Sequence, residues 1–183
     1  MKTDDSKPNL VEKYAELARK SLVQTQYSCS GNSTPVEESD FVSYRPAIDE
    51  DIPEIIHLLA ECKLPHSHIA SGKQHFVVAE IDSKIIGCGG LEAYNESGLF
   101  RSLTVKPLYR NMKIGQHLID TIFVQAQELG ITKLYLLTTT ADKLFAKLGW
   151  ETINRNDVPE EIGNTDEFSS ICPSVAICMK HQV

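Results

Sequence analysis

The sequence predicts a mixed α/β domain: a central, mostly antiparallel sheet flanked by helices. Three observations carry that reading. Residues 76–81 and 85–94 are two β-branched and apolar stretches separated by Asp82, Ser83 and Lys84, which is hairpin spacing. A third apolar strand, residues 99–105, follows the turn residues Asn95, Glu96, Ser97 and Gly98. After Pro107, an amphipathic segment carries the chain over to a further strand at 134–138, so the element order has an antiparallel start and one crossover helix.

In chain order, Leu10, Tyr14, Leu17 and Ala18 recur at helical spacing and predict an amphipathic helix over 10–22. Residues 24–40 are polar, rich in Ser, Thr, Asn, Glu and Gly, and read as a linker. The expected organisation is therefore a helix and arm over 1–40 and a folded domain over 41–183. Phe41, Val42, Tyr44 and Pro46 predict the first strand of that domain. Asp51 and Glu54 have capping-box spacing with Pro53 in the first turn, and Ile52, Ile55, Ile56, Leu59 and Cys62 form the buried stripe of the helix that follows. The crossover helix should bury Leu118, Ile119, Ile122, Ala126 and Leu129 and stop at Gly130, a residue suited to the left-handed cap. A short helix over 141–148, a break at Gly149, an extended run from Trp150 to Ile153 and a last strand over 175–179 complete the order.

Composition narrows the function classes. With 183 residues, 42% hydrophobic and 23% charged, the chain suits one globular domain plus a short appendage. No apolar run approaches the ~20 residues that span a bilayer, and Met1, Lys2, Thr3, Asp4 and Asp5 do not open a secretory signal, so a cytoplasmic protein without membrane contact is expected. A net charge of -7 disfavours nucleic acid as a partner and makes any phosphate contact a local one. The five cysteines (Cys29, Cys62, Cys88, Cys172, Cys178) show no metal-ligand spacing and read as reduced thiols; His66 and His68 lack a nearby acidic or thiol ligand, so no metal is expected.

One turn stands apart from this ordinary background. Arg110, Asn111, Met112, Lys113, Ile114, Gly115 and Gln116 form a basic segment that opens directly into the crossover helix. Unpaired backbone N–H groups and the positive end of the helix dipole converge there, which suits a phosphate-bearing cofactor.

The chain over about 44–180 resembles the GNAT acetyltransferases, whose cofactor signature of Arg or Gln, two variable residues, Gly, one variable residue, and Gly or Ala maps onto residues 110–115. Lys113 stands where that signature has its first Gly, a position that allows close backbone approach or a positive φ. The resemblance implies a splayed sheet and acetyl-CoA as cosubstrate. It also implies main-chain contacts from Leu103, Thr104 and Val105 to pantetheine and the thioester oxygen. Within that family, Phe100 to Leu103, the "LLTTT" run and the "EFSSICPSVAICM" tail are similar to the acetyltransferases encoded beside arsenic-resistance genes. Leu137, Thr138 and Thr139 with Val158 and Pro159 are similar, more distantly, to the acetyltransferase part of N-acetylglutamate synthases. Both relatives imply a small amino-acid-like amine acceptor. Tyr14, Ala18, Cys29, Ser30 and Gly31 also resemble the opening of arsenite methyltransferases; alternatively, that helix packs on the domain or on a second subunit of a homodimer.

Acetyl transfer needs a base for the amine and a donor for the developing oxyanion. Glu92 interrupts an apolar strand and is the expected base, acting directly or through water; the plainer alternative is a solvent-facing glutamate. Arg101, within a mostly apolar strand, is the expected ligand for an acceptor carboxylate, with Ser102 assisting; an ion pair with an acidic side chain is the other reading. Thr139 and Thr140 are read as positioning the sulfur or the acceptor, or as turn residues. The resemblance puts Phe145 where many members carry a tyrosine acid for the departing thiolate. Ser169, Ser170 and Cys172 occupy a polar stretch suited to a lid or a plain surface loop. The alternative to an enzyme is a non-catalytic CoA-binding sensor or interaction module.

Overall fold

A computed structural model describes residues 42–66, 69 and 74–183. The expected helix over 10–22, the arm to residue 40, Phe41, Cys29 and His68 lie outside these residues. Seven strands form one sheet: β1 (Ser43–Pro46), β2 (Gln74–Ile81), β3 (Lys84–Tyr94), β4 (Ser97–Val105), β5 (Lys133–Thr138), β6 (Glu151–Ile153) and β7 (Ile177–Gln182). Their spatial order is β1-β2-β3-β4-β5-β7-β6, antiparallel throughout except for the parallel β4–β5 pair. Helices α1 (Ile52–Glu61), α2 (Ile114–Glu128), α3 (Asp142–Lys147) and the single turn α4 (Glu160–Gly163) cover it. The mixed α/β class expected from the sequence is the one observed.

Local chemistry accounts for the turns. Asp82 and Ser83 both take positive φ, 48° and 60°, which gives the β2–β3 hairpin a two-residue turn whose twist matches its strands. Asn95, at φ 52°, does the same between β3 and β4. Ser97 and Gly98, expected in the turn, are instead the first residues of β4. The capping box is also corrected. Asp51 makes no side-chain cap to α1, because its carboxylate is taken by Arg45 at 2.6 and 3.0 Å and by the Ile48 N–H at 2.8 Å. That hydrogen-bonded guanidinium holds the Asp51 carboxyl below the usual carboxylate range. Glu54 likewise turns away and accepts the Ile85 N–H at 3.1 Å.

Strand alternation divides the apolar residues between two faces. On one, Val77, Ala79, Leu91, Phe100, Leu134 and Leu136 pack against Leu118, Ile119, Ile122 and Ala126 of α2. On the other, Phe76, Val78 and Cys88 pack against Ile55, Leu58 and Leu59 of α1, each of which is fully buried and contributes roughly 1.5–3 kcal/mol. Further along that face, Leu99, Tyr135 and Cys178 meet Ile162 and Phe168. Gly89 keeps the sheet close to α2, since a Cβ there would come within 2.6 Å of Ile122 Cδ1. Gly130 ends α2 at φ +74° as expected, but Leu129 is 41% exposed rather than buried, because the helix ends at Glu128 and Leu129 already belongs to its cap.

Two deviations open the sheet at its centre. β4 pairs with β5 only from Ser97↔Lys133 to Leu99↔Tyr135, so the two parallel strands part after Leu99. The β3–β4 register also slips: Cys88 opposes Thr104 while Gly90 opposes Arg101, which places one extra β4 residue in a bulge. Ser102, at φ 58°, is the left-handed residue of that bulge.

Candidate active site

A cleft of about 310 Å³ opens where β4 and β5 diverge. Its walls are residues 100–103 of β4, residues 136–141 at the end of β5, Phe145 of α3, and Glu167 with residues 171–173. Residues 63–65, after α1, complete it. The strands supply the shape: beyond Leu99 the β5 side of β4 has no strand partner among the described residues, leaving main-chain groups available to a ligand. Thr138 closes β5 by accepting the Ala141 N–H at 2.9 Å, so the turn chemistry read for the threonine run falls to Thr138, while Thr139 and Thr140 are exposed on the cleft wall. Phe145 packs edge-on against Phe100 at 5.7 Å and Trp150 at 5.4 Å, an apolar rather than proton-donating boundary.

Arg101 is the only arginine lining the cleft among the described residues, and its side chain is 4% exposed. Its NH1 donates to Glu92 Oε1 at 2.7 Å, its Nε to Ser102 Oγ at 3.3 Å, and its NH2 lies 3.1 Å from Glu167 Oε2. The ion-pair reading of Arg101 is therefore realised within the protein, yet the guanidinium remains part of the cleft wall. Glu92 is not. It lies behind Arg101, outside the cleft lining, and also accepts from Gln74 Nε2 at 3.0 Å and Tyr94 OH at 2.7 Å. A carboxylate enclosed by three donors is an anchor for the guanidinium. Burial, and then the bond to Glu92, pushes the Tyr94 phenol up, so it stays a hydrogen-bond donor.

Glu167 is the residue the sequence reading missed. It begins a π-helical turn, Glu167–Ile171, whose Cys172 N–H reaches back to the Glu167 carbonyl at 3.1 Å. The same wrap lets the Cys172 thiol donate to Glu167 Oε1 at 3.4 Å. Glu167 Oε2 is enclosed beside Arg101 and has no aligned hydrogen bond among the described residues. Burial and the adjacent carboxylate push the Cys172 thiol up to about 11, which makes it an inert donor and disfavours a nucleophile. Arg155 holds the turn from outside. Its guanidinium donates to the carbonyls of Phe168, Pro173 and Cys172 and lies 5.4 Å from the centre of the Phe168 ring. An acidic residue opening a mixed polar and apolar tail was the available sequence signal, but nothing local pointed it at Arg101. Ser169 and Ser170 are exposed and do not line the cleft.

β4 leads out of the cleft past Leu103, Thr104 and Val105 into the basic turn. Arg110 folds back, its Nε donating to the Val105 carbonyl at 3.0 Å. Asn111 and Lys113 take positive φ, 67° and 59°, and Lys113 caps α2 without a side-chain bond to the first-turn N–H groups. Lys113 thus adopts the backbone conformation that a glycine would favour, and Arg110, Asn111, Met112 and Lys113 are all exposed. Ile114 is buried and anchors the helix, Gly115 is partly buried, and Gln116 is exposed. Among the described residues no group of three or more His, Cys, Asp or Glu suits a metal, and no helix is long and apolar enough to cross a membrane.

This architecture, a splayed parallel pair leading into a helix N-terminus, is the GNAT fold, and residues 72–152 match the family described as acetyltransferase (GNAT) domain. Over those residues the chain is similar to that family, and over a longer stretch it is similar to amino-acid acetyltransferases. It is 29% identical over 149 residues to the amino-acid acetyltransferase of Neisseria meningitidis serogroup A, covering 76% of this chain and 34% of that protein. The amino-acid acetyltransferase of Mannheimia succiniciproducens is 29% identical over 150 residues, covering 77% and 34%. This chain therefore spans about a third of the length of the curated relatives it matches. Among solved structures, N-acetylglutamate synthase from Neisseria gonorrhoeae, complexed with coenzyme A and N-acetyl-glutamate, superimposes with a TM-score of 0.66 at 25% identity, covering 88% of this chain and 40% of that one. Tetrahymena GCN5 superimposes with a TM-score of 0.63 at 14% identity, covering 77% of this chain and 96% of that one, and shares the fold alone.

Proposed function

We propose that this chain is an acetyl-CoA-dependent N-acetyltransferase acting on a small amino-acid-like amine. The observation that carries the reading is the splay beside the cleft: a stretch of β4 that has parted from β5 runs from a buried arginine at one end to a basic turn and helix N-terminus at the other. In this reading the free main-chain groups of Leu103, Thr104 and Val105 hold pantetheine and polarise the thioester carbonyl. The turn from Arg110 to Gln116 takes the pyrophosphate through its backbone N–H groups, with Lys113 adding charge. Arg101 binds the acceptor carboxylate with Ser102 and Thr139 beside it, and Glu92 holds Arg101 in place. The homologous amino-acid acetyltransferases support an amino-acid acceptor.

With Phe145 on the cleft wall, no tyrosine stands at that position to protonate the departing thiolate. A thiol of pKa about 8.5 leaves tolerably well near neutral pH without one. The test is to incubate the protein with acetyl-CoA and a panel of amino acids while following free thiol. Acceptor-dependent release is expected; CoA binding without any release would identify a binding module instead. A role in arsenic resistance rests on the sequence resemblance, and is tested by whether the gene raises the arsenic tolerance of a sensitive host.

A further inference from the structure

We propose that Glu167 receives the acceptor's ammonium: its Oε2, enclosed in the cleft wall beside Arg101, accepts a hydrogen bond from that group and then its proton. This rests on the acetyltransferase reading and deepens it. The two carboxylates flanking Arg101 differ in what they have left to offer. Glu92 is engaged by Arg101, Gln74 and Tyr94 and lies outside the cleft lining. Glu167 lines the cleft and, among the described residues, takes a thiol donor at Oε1 and leaves Oε2 without an aligned hydrogen bond. A thiol is a weak donor, so the Glu167 carboxylate is the one with unused acceptor capacity.

Arg101 and Glu167 stand 3.1 Å apart on one wall. A guanidinium beside a carboxylate is the complement of a zwitterion, whose carboxylate and ammonium sit on one carbon. Two carboxylates surround a single guanidinium, so the Glu167 carboxylate can face the acceptor's ammonium while Arg101 faces its carboxylate. Glu167 is held for the task, because the π-helical turn and the Arg155 bonds to its carbonyls restrain the segment that carries it.

Atoms and electrons balance without a further reactant. The ammonium gives one proton to Glu167, and the neutral nitrogen attacks the thioester carbon. A C–N bond forms as the C–S bond breaks. The second N–H proton goes to water, and the Glu167 carboxylic acid returns its proton to the CoA thiolate.

The test compares Glu167→Gln with the unaltered chain, using the acceptor identified by thiol release. At pH 7 the variant should lose about 100-fold in kcat, the usual range for a positioned proton acceptor. That loss should shrink as pH rises through the amine's own pKa, where solvent supplies the neutral nucleophile. The acceptor's des-amino analogue should bind the unaltered chain about 10-fold more weakly than the acceptor, and the variant should lose this discrimination. An unchanged kcat, or a loss equal at every pH, overturns the proposal. If the variant fails to fold, the unaltered chain decides: equal binding of the acceptor and its des-amino analogue overturns it. Absence of thiol release from the unaltered chain with every amino acid would instead remove the underlying acetyltransferase reading.

Discussion

The two regions proposed to hold the cofactor and the acceptor are built by opposite means. At the cofactor end, seven consecutive residues, Arg110 to Gln116, make a turn whose chemistry is local: backbone N–H groups, a helix dipole and two left-handed residues. At the acceptor end, Arg101, Glu92 and Glu167 come from β4, β3 and a turn more than 60 residues further on, and meet only when the sheet is complete. The first is exposed from Arg110 to Lys113. The second is buried and depends on every partner.

Removing Arg101 should expose that difference most strongly. Arg101→Ala leaves two carboxylates in a nearly closed cluster without their counter-charge, so a loss of about 3–5 kcal/mol is expected in denaturant unfolding. Acceptor-dependent thiol release should vanish with it. A stability change below about 1 kcal/mol would mean that water reaches the cluster and that the acceptor end is no more dependent on its partners than the cofactor end.

Glu92→Gln is milder, since the amide oxygen still accepts from Arg101. The acceptor KM should rise about 10-fold, as expected for weakening one charged hydrogen bond, with the pH profile of kcat unmoved. A changed pH profile would make Glu92 the base. At the other end, Lys113→Gly should relieve a left-handed lysine and stabilise the fold by about 0.5–1 kcal/mol, partly offset by the freer unfolded chain. In the same variant, acetyl-CoA affinity should fall at low salt and converge with the unaltered chain at high salt if the ammonium meets the phosphates.

A further effect is confined to high pH. Burial raises the Cys172 and Cys178 thiols from 9.0 to about 11 and Cys88 to about 12. A thiol whose folded pKa exceeds its unfolded value stabilises the fold fully below the unfolded value and ceases to do so as pH rises through the folded one. The melting temperature should therefore decline between about pH 9 and pH 11, and Cys172→Ser should soften that decline. A flat melting temperature over that range would contradict the burial of these thiols.

Much of the fold was legible because its signals are short-range. The Asp82–Ser83 turn, the stripe of α2 and the stop at Gly130 each follow from residues within a few positions of one another. The misread elements are those where a distant group competes. Asp51 was available to cap α1 until Arg45 claimed it, and Glu54 was available until the Ile85 N–H did.

By itself, the sequence determined the strand and helix order, the basic turn at the start of α2, and the isolated charges Glu92 and Arg101 in apolar strands. Only the tertiary structure decided that β4 and β5 part after Leu99, that the bulge falls at Ser102, and that Glu167 faces Arg101. The reason is physical. Turns and helix ends satisfy their polar groups with near neighbours, whereas a buried charge must find its partner across the fold, wherever packing brings one within reach.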